Sequence, residues 1–308
     1  MNFFRTFALC LLALSLPAHA ADTATQMKQA TTLYNQARYE DALKMLQPLA
    51  EQGVPAAQVR LGFMFSEGQG VKQDYKQAVA WYEKAAEQNF SIGQHFLANM
   101  YYRGLGVQQS YKKAFLWNSK AAEQNLPEAQ FLQADMYYRG KGVGLNPAKA
   151  FEWFSKAAQS GHAKAQTFLA TMYYKGNDGA PHSYTKALEW FTKAAEQNNV
   201  EAQFFLAGMY YRGTGIPKDQ QKALTLFNKA AERGVHKAQM ILALMYARGE
   251  GTAPDYTTAL KWALIACANS PKDELGRCAE FRDSVQAQNS KEQIAKAQNE
   301  AAAFKPEK

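Results

Sequence analysis

The sequence predicts an all-α solenoid, a pair of helices copied along the chain and stacked on itself. Three observations carry this. Trp81, Trp117, Trp153 and Trp190 recur at intervals of 36, 36 and 37 residues, and Trp262 follows 72 residues later with Leu226 in the vacant slot. Met64, Met100, Met136, Met172, Met209 and Met245 keep the same time. Within each period the apolar residues fall twice at helical spacing, so each copy is a helix pair with one apolar side. Six copies, starting near Ala57, Gly93, Ala129, Ala165, Ala202 and Ala238, occupy residues 54–270.

The elements follow in chain order. Met1 to Arg5 carries one positive charge, Phe7 to Leu16 is apolar, and Pro17 breaks that run before Ala18-His19-Ala20. This order predicts a secretory signal peptide over 1–20, cut after Ala20. The apolar run is about half of what a bilayer span needs. Cys10 lies inside it rather than after it, which removes a lipoprotein signal. A periplasmic or secreted protein without a membrane span is expected. Residues 21–53 hold a helix pair that lacks the glycines of the later copies, with Leu33, Tyr34, Ala37 and Tyr39, then Ala42, Leu43, Leu46 and Ala50. It is expected to cap the stack.

The first full copy shows the design. Ala57, Leu61, Met64 and Phe65 form one stripe, and Gly68 suits the left-handed residue that closes a helix. Gly70-Val71 turns the chain and Asp74 is placed to cap the second helix. There Ala78, Trp81, Tyr82, Ala85 and Ala86 form a second stripe, in which small residues allow close approach and the Trp fills the gap beside them. Neither helix can bury its stripe alone, so stacking must do it. One extra residue in the fourth copy falls between Gly176 and Pro181, in a loop. After Pro271 the chain is rich in Glu, Gln, Lys and Ala through Phe304, which predicts two closing helices and a frayed tail within 271–308.

Composition agrees with a packed chain. Of 308 residues 47% are hydrophobic and 20% charged, which excludes disorder and collagen-like sequence, and three cysteines exclude a disulfide-dense miniature scaffold. Lys and Arg number 35 against 27 acids, a formal charge of +8 that favours anionic partners.

The run Ala129-Gln130 through Met136-Tyr137-Tyr138-Arg139-Gly140-Lys141-Gly142-Val143, then Ala150, Trp153-Phe154 and Lys156-Ala157-Ala158, resembles the Sel1-like repeat, a branch of the tetratricopeptide superfamily. The resemblance covers roughly Ala56 to Ala266. Departures are Gln133 for the usual Leu, Asn177-Asp178-Gly179 for a Gly-x-Gly, and Leu226 for the aromatic. It implies a right-handed superhelix of antiparallel helix pairs acting as an adaptor surface. In bacterial exported members it implies work in envelope regulation, polysaccharide secretion, motility or host interaction. A cysteine-rich branch of the family is associated with β-lactamase or penicillin-binding activity. That branch carries a cysteine pair in nearly every repeat, which this sequence does not.

Shifting the stripe of each first helix by two residues, about 200° around the helix, defines the face at positions 59, 63, 66 and 67. By resemblance to tetratricopeptide stacks it is the concave lining. The third position holds Ser66, Tyr102, Tyr138, Tyr174, Tyr211 and Ala247, and the fourth Glu67, Arg103, Arg139, Lys175, Arg212 and Arg248. His95, Phe131, Phe204 and Met240 extend the face, with Asn99 and Asp135 among them. A cation in the last helical turn complements the helix dipole wherever it points. That does not explain a tyrosine always beside it. Planar tyrosine and forked arginine together suit extended, electron-rich chains. Rungs about 10 Å apart would meet every third residue of a peptide that rises about 3.3 Å per residue.

Catalytic spacing is missing. No His-Glu-x-x-His, no Gly-x-Ser-x-Gly and no Ser-x-x-Lys with its partner motifs occurs, and His95, His162, His182 and His236 lie in different copies. The Gly-x-Gly pairs follow helices rather than strands, so they are turns and not nucleotide sites. No cofactor, no metal and no nucleic-acid partner is expected. Cys267 and Cys278 are the two cysteines beyond the signal peptide, and an oxidising compartment predicts a disulfide between them. The expected function is a non-enzymatic envelope adaptor that binds an extended, net-acidic protein segment. The alternatives are a periplasmic hydrolase of the cysteine-rich branch and an anionic-glycan binder supporting polysaccharide export.

Overall fold

A computed structural model describes residues 18–176 and 179–306. Residues 1–17 of the expected signal peptide, and Asn177 and Asp178 of the fourth loop, lie outside the described residues. Among the described residues there are sixteen helices and no strand. The chain divides into two compact units, the first ending at Ser160 and the second beginning at Gly161. The first holds α1 (Ala18–Asn35), α2 (Tyr39–Glu51), α3 (Pro55–Glu67), α4 (Tyr75–Glu87), α5 (Ser91–Arg103), α6 (Tyr111–Glu123), α7 (Pro127–Arg139) and α8 (Pro147–Gln159). The second holds α9 (Ala163–Lys175), α10 (Tyr184–Glu196), α11 (Val200–Arg212), α12 (Gln220–Glu232), α13 (His236–Arg248), α14 (Tyr256–Ala268), α15 (Leu275–Gln286) and α16 (Lys291–Ala303). Within each unit successive helices from α1 to α8 and from α9 to α15 pack on one another, the arrangement of an all-α solenoid.

Local chemistry sets the boundaries. Each first helix ends on a left-handed glycine, Gly68, Gly104, Gly140, Gly176, Gly213 or Gly249, whose N–H donates to the carbonyl of the recurrent methionine four residues earlier. Each second helix starts behind Asp74, Ser110, Asn146, Ser183, Asp219 or Asp255, whose side chain accepts from backbone N–H groups of the first turn. The second loop glycine has another task. A Cβ at Gly142 would fall on the backbone carbonyl of Tyr111, at the start of the previous copy's second helix. Glycine here lets one copy's loop seat directly on its neighbour.

The core consists of alanines at fixed positions, methionines and one large residue per second helix. Tyr82, Phe154, Phe191 and Phe227 are among the largest fully buried side chains, each worth about 1.5–3 kcal/mol. Trp81, Trp117, Trp153 and Trp190 are half-buried, and the ammonium of a lysine three residues on covers each ring, Lys84 at 3.9 Å from Trp81 and Lys156 at 4.1 Å from Trp153, while Trp262 is buried. At the end of the chain α15 and α16 both pack on α14. The expected disulfide is present: Cys267 of α14 and Cys278 of α15 are bonded, with Cα atoms 5.6 Å apart. In the chain-entropy model so short a loop adds about 3 kcal/mol.

Candidate functional site

The recurrent glutamine at the fourth position of each first helix is buried in all six copies, as Gln58, Gln94, Gln130, Gln166, Gln203 and Gln239. Its amide reaches back to a carbonyl at the end of the preceding second helix, Gln58 to Ala50 at 3.1 Å and Gln239 to Ala231 at 3.1 Å. Its oxygen accepts from the residue closing its own copy, Gln88 onto Gln58 at 2.8 Å and Gln124 onto Gln94 at 2.9 Å. These bonds hold successive first helices in register, and with them the aromatic and cationic positions.

In the first unit Tyr102 and Tyr138 are half-buried, while Arg103 and Arg139 are exposed. Tyr102 packs edge-on against Tyr111, with ring centroids 5.0 Å apart. Tyr138 instead packs on the buried Phe154 at 6.4 Å, and Phe131 meets the same ring at 5.6 Å. The reason lies in the first residue of the second helix. Where it is Tyr111 the rung tyrosine has a ring beside it, and where it is Pro147 the rung turns to the core. Arg139 donates to Asp135 at 2.6 Å yet keeps 55% of its side chain exposed. The bond to Asp135 holds its guanidinium above the ordinary arginine range. Burial raises the Tyr102 phenol, and the Asp135 charge raises it further while Arg139 opposes. Tyr102 therefore feels the acid and cation of the following copy. Arg103 makes no ion pair among the described residues.

The second unit repeats this with different partners. Tyr174 packs on Tyr184 at 5.2 Å and accepts from the Arg212 guanidinium of the next copy at 3.2 Å. Tyr211 packs on the buried Phe227 at 6.2 Å, and Phe204 meets that ring at 5.8 Å. The Tyr211 hydroxyl donates to Glu250 at 2.7 Å, and Arg248 stands 4.0 Å from the same carboxylate. Burial and this bond raise the Tyr211 phenol. Lys175 is exposed, with no ion pair among the described residues.

The structure thus brings Tyr102, Tyr174 and Tyr211 to charged groups of the copy that follows, an offset that a rung-by-rung reading of the sequence misses. It also brings Asp135 and Glu250 into a face read as cationic. Glu250 occupies a loop position outside the helical pattern, so periodicity carries no sign of it.

Three positions on the expected face are corrected, and two of them, Val59 and Ser66, are buried in the first copy. His95 is buried, not part of an open lining. The second copy has Asn118 where four others bury Tyr82, Phe154, Phe191 and Phe227 and the sixth buries Ala263, and Asn118 must satisfy its polar atoms. His95 Nδ1–H donates to Asn118 Oδ1 at 3.2 Å, and Asn99 donates to His95 Nε2 at 3.0 Å. Asn118 Nδ2 donates to the Ala129 carbonyl and to Gln133 Oε1 at 3.0 Å, and Gln133 donates to Ser119. Gln133, a departure from the usual leucine, is therefore the matched partner of Asn118. Burial depresses the His95 pKa to about 4.

Among the described residues no group of three His, Cys, Asp or Glu side chains is arranged to hold a metal ion, and no helix is long and apolar enough to cross a membrane.

Among curated proteins none matches the chain. Among solved structures, a Sel1 repeat protein from Oxalobacter formigenes is similar at 33% identity and a TM-score of 0.73, over 79% of this chain and 100% of that one. A protective antigen present in uropathogenic Escherichia coli strains, displaying an SLR fold, is similar at 27% identity and a TM-score of 0.41, over 92% of this chain and 76% of that one. The Sel1 repeat model matches six times in tandem, at residues 55–90, 91–126, 127–162, 163–199, 200–235 and 236–271. Matched over most of its length, the chain belongs to the Sel1 repeat family, whose members generally serve as protein–protein interaction scaffolds.

Proposed function

We propose that the protein is a non-enzymatic adaptor of the bacterial cell envelope, and that each unit binds an extended, net-acidic segment of a protein partner. In the first unit the contact strip is Tyr102, Arg103, Phe131, Tyr138 and Arg139. In the second it is Tyr174, Lys175, Phe204, Tyr211, Arg212 and Arg248. One observation carries the reading: the rung tyrosines are seated on fixed aromatic partners, while all five cations stay exposed. Seated rings are ordered before binding, so a partner meets stacking surface at little entropic cost. The exposed cations add attraction for carboxylates that salt screens. An envelope location is supported by the disulfide, which suits an oxidising compartment, and by the signal-peptide pattern of residues 1–20.

The test is charge reversal, Arg139→Glu for the first unit and Arg212→Glu for the second, with capture through a photoreactive residue at Tyr138. The double variant is expected to bind the captured partner more weakly and with less dependence on salt. Unchanged binding removes the strip assignment. Retention of the wild-type chain on an anionic polysaccharide, lost in the same variant, would favour the glycan reading.

A further inference from the structure

The second unit has a cavity of about 410 Å³ that no sequence pattern announced. Its floor is apolar, made by Phe204 of α11 and by Met240 and Ile241 of α13. Its far wall is Cys278 of α15, whose Sγ lies 3.5 Å from the Met240 sulfur, so the disulfide to Cys267 holds that wall in place. Lys237 and Arg277 stand at the rim, both exposed. Glu274 also stands at the rim, 3.8 Å from His236, so the rim carries two cations against one carboxylate. Phe204 is also a residue of the second strip.

We infer that this cavity takes an aromatic side chain flanked by carboxylates, and so anchors an acidic partner segment at one point along the second strip. The choice of occupant follows from the lining. The volume lies at the lower end of ligand pockets, roughly 300–1,000 Å³, and suits one ring rather than a large ligand. Polarizable sulfur on floor and wall favours an aromatic face or edge over an aliphatic chain. Exposed Lys237 and Arg277 on the rim favour acidic neighbours of that ring and oppose basic ones. The inference rests on the strip reading for the nature of the segment, but the cavity is testable alone. Methionine offers the probe, because Met240 is one of ten in the sequence.

The experiment uses the full chain with ¹³C-methyl methionine, the Met240 signal being assigned through Met240→Leu. The probes are the capped tripeptides Glu-Phe-Glu, Glu-Ala-Glu and Lys-Phe-Lys. A saturable shift of the Met240 methyl is expected with Glu-Phe-Glu, with about tenfold weaker binding of the other two. Arg277→Glu, an exposed change that leaves the floor intact, is expected to reverse the order of the two Phe probes. No saturable Met240 shift, or equal affinity for the Phe and Ala probes, overturns the inference. Arg139→Glu with Arg212→Glu is expected to leave this titration unchanged. Failure of the strip and failure of the pocket are therefore separate results.

Discussion

The second and fifth copies share one frame and fill it oppositely. In the first unit the second copy packs Asn118 between His95 and Gln133, with every polar atom of the three engaged. In the second unit the fifth copy packs Phe227 against Phe204, with Leu242 of the next helix buried at the place of Gln133. The comparison teaches that the frame does not specify its filling residue by residue. It requires a matched set across three helices, either all apolar or fully hydrogen-bonded.

Breaking the apolar set should cost most. Phe227→Asn leaves a cavity and an unpartnered amide, an expected loss of about 4 kcal/mol in urea unfolding of the second unit. The reverse exchange in the first unit, His95→Phe with Asn118→Phe and Gln133→Leu, should cost far less than Asn118→Phe alone. If the single and triple variants are equally destabilised, the set is not a set.

Acid should separate the two units next. His95 accepts from Asn99 on one nitrogen, so its neutral form fits and a second proton does not. Its folded pKa of about 4 lies below the ordinary 6.5, so the unfolded chain binds the extra proton first. Stability is therefore full above pH 6.5 and falls as pH drops toward 4, by on the order of 3 kcal/mol in the first unit. The triple variant should lose this dependence in urea midpoints taken from pH 7 to 4.

Two backbone changes give smaller effects. Gly142→Ala presses a methyl group onto the Tyr111 carbonyl in a left-handed residue, at about 2–3 kcal/mol, while Gly144→Ala meets open space and should change little. Ala37, between α1 and α2, has φ +59 without being glycine. Ala37→Gly should stabilise the first unit by about 1 kcal/mol, read as a rise in its thermal midpoint.

Much of the fold was legible because its determinants are local. Gly68 and its equivalents, the caps from Asp74 to Asp255 and the recurrent methionines act within a turn of where they stand. The Cys267–Cys278 bond was legible because only two cysteines remained to pair. Asn118 was not, since its partners lie 15 and 23 residues away on other helices and periodicity reports faces, not pairings. The tyrosine positions of the candidate strips could be read from spacing. Their offset to the following copy's charge could not, because it depends on how far stacked helices slide. Gln58 and its equivalents stood in plain view as a repeated letter, yet what they bond became apparent only with the preceding helix in place.

Those glutamines bear on how such a chain changes length. Gln94 turns its amide to the copy behind it and its oxygen to Gln124, the residue closing its own copy, so a duplicate of the second copy arrives with both ends of the connection already matched. The closing residue varies: Gln88, Gln124 and Gln197 close three copies, Ser160 and Arg233 close two, and in the sixth Asn269 donates to Ile265. Gln239 Oε1 is left without a partner among the described residues. A copy of the second kind thus carries its connector wherever it is inserted, while one of the sixth kind carries none for its glutamine oxygen.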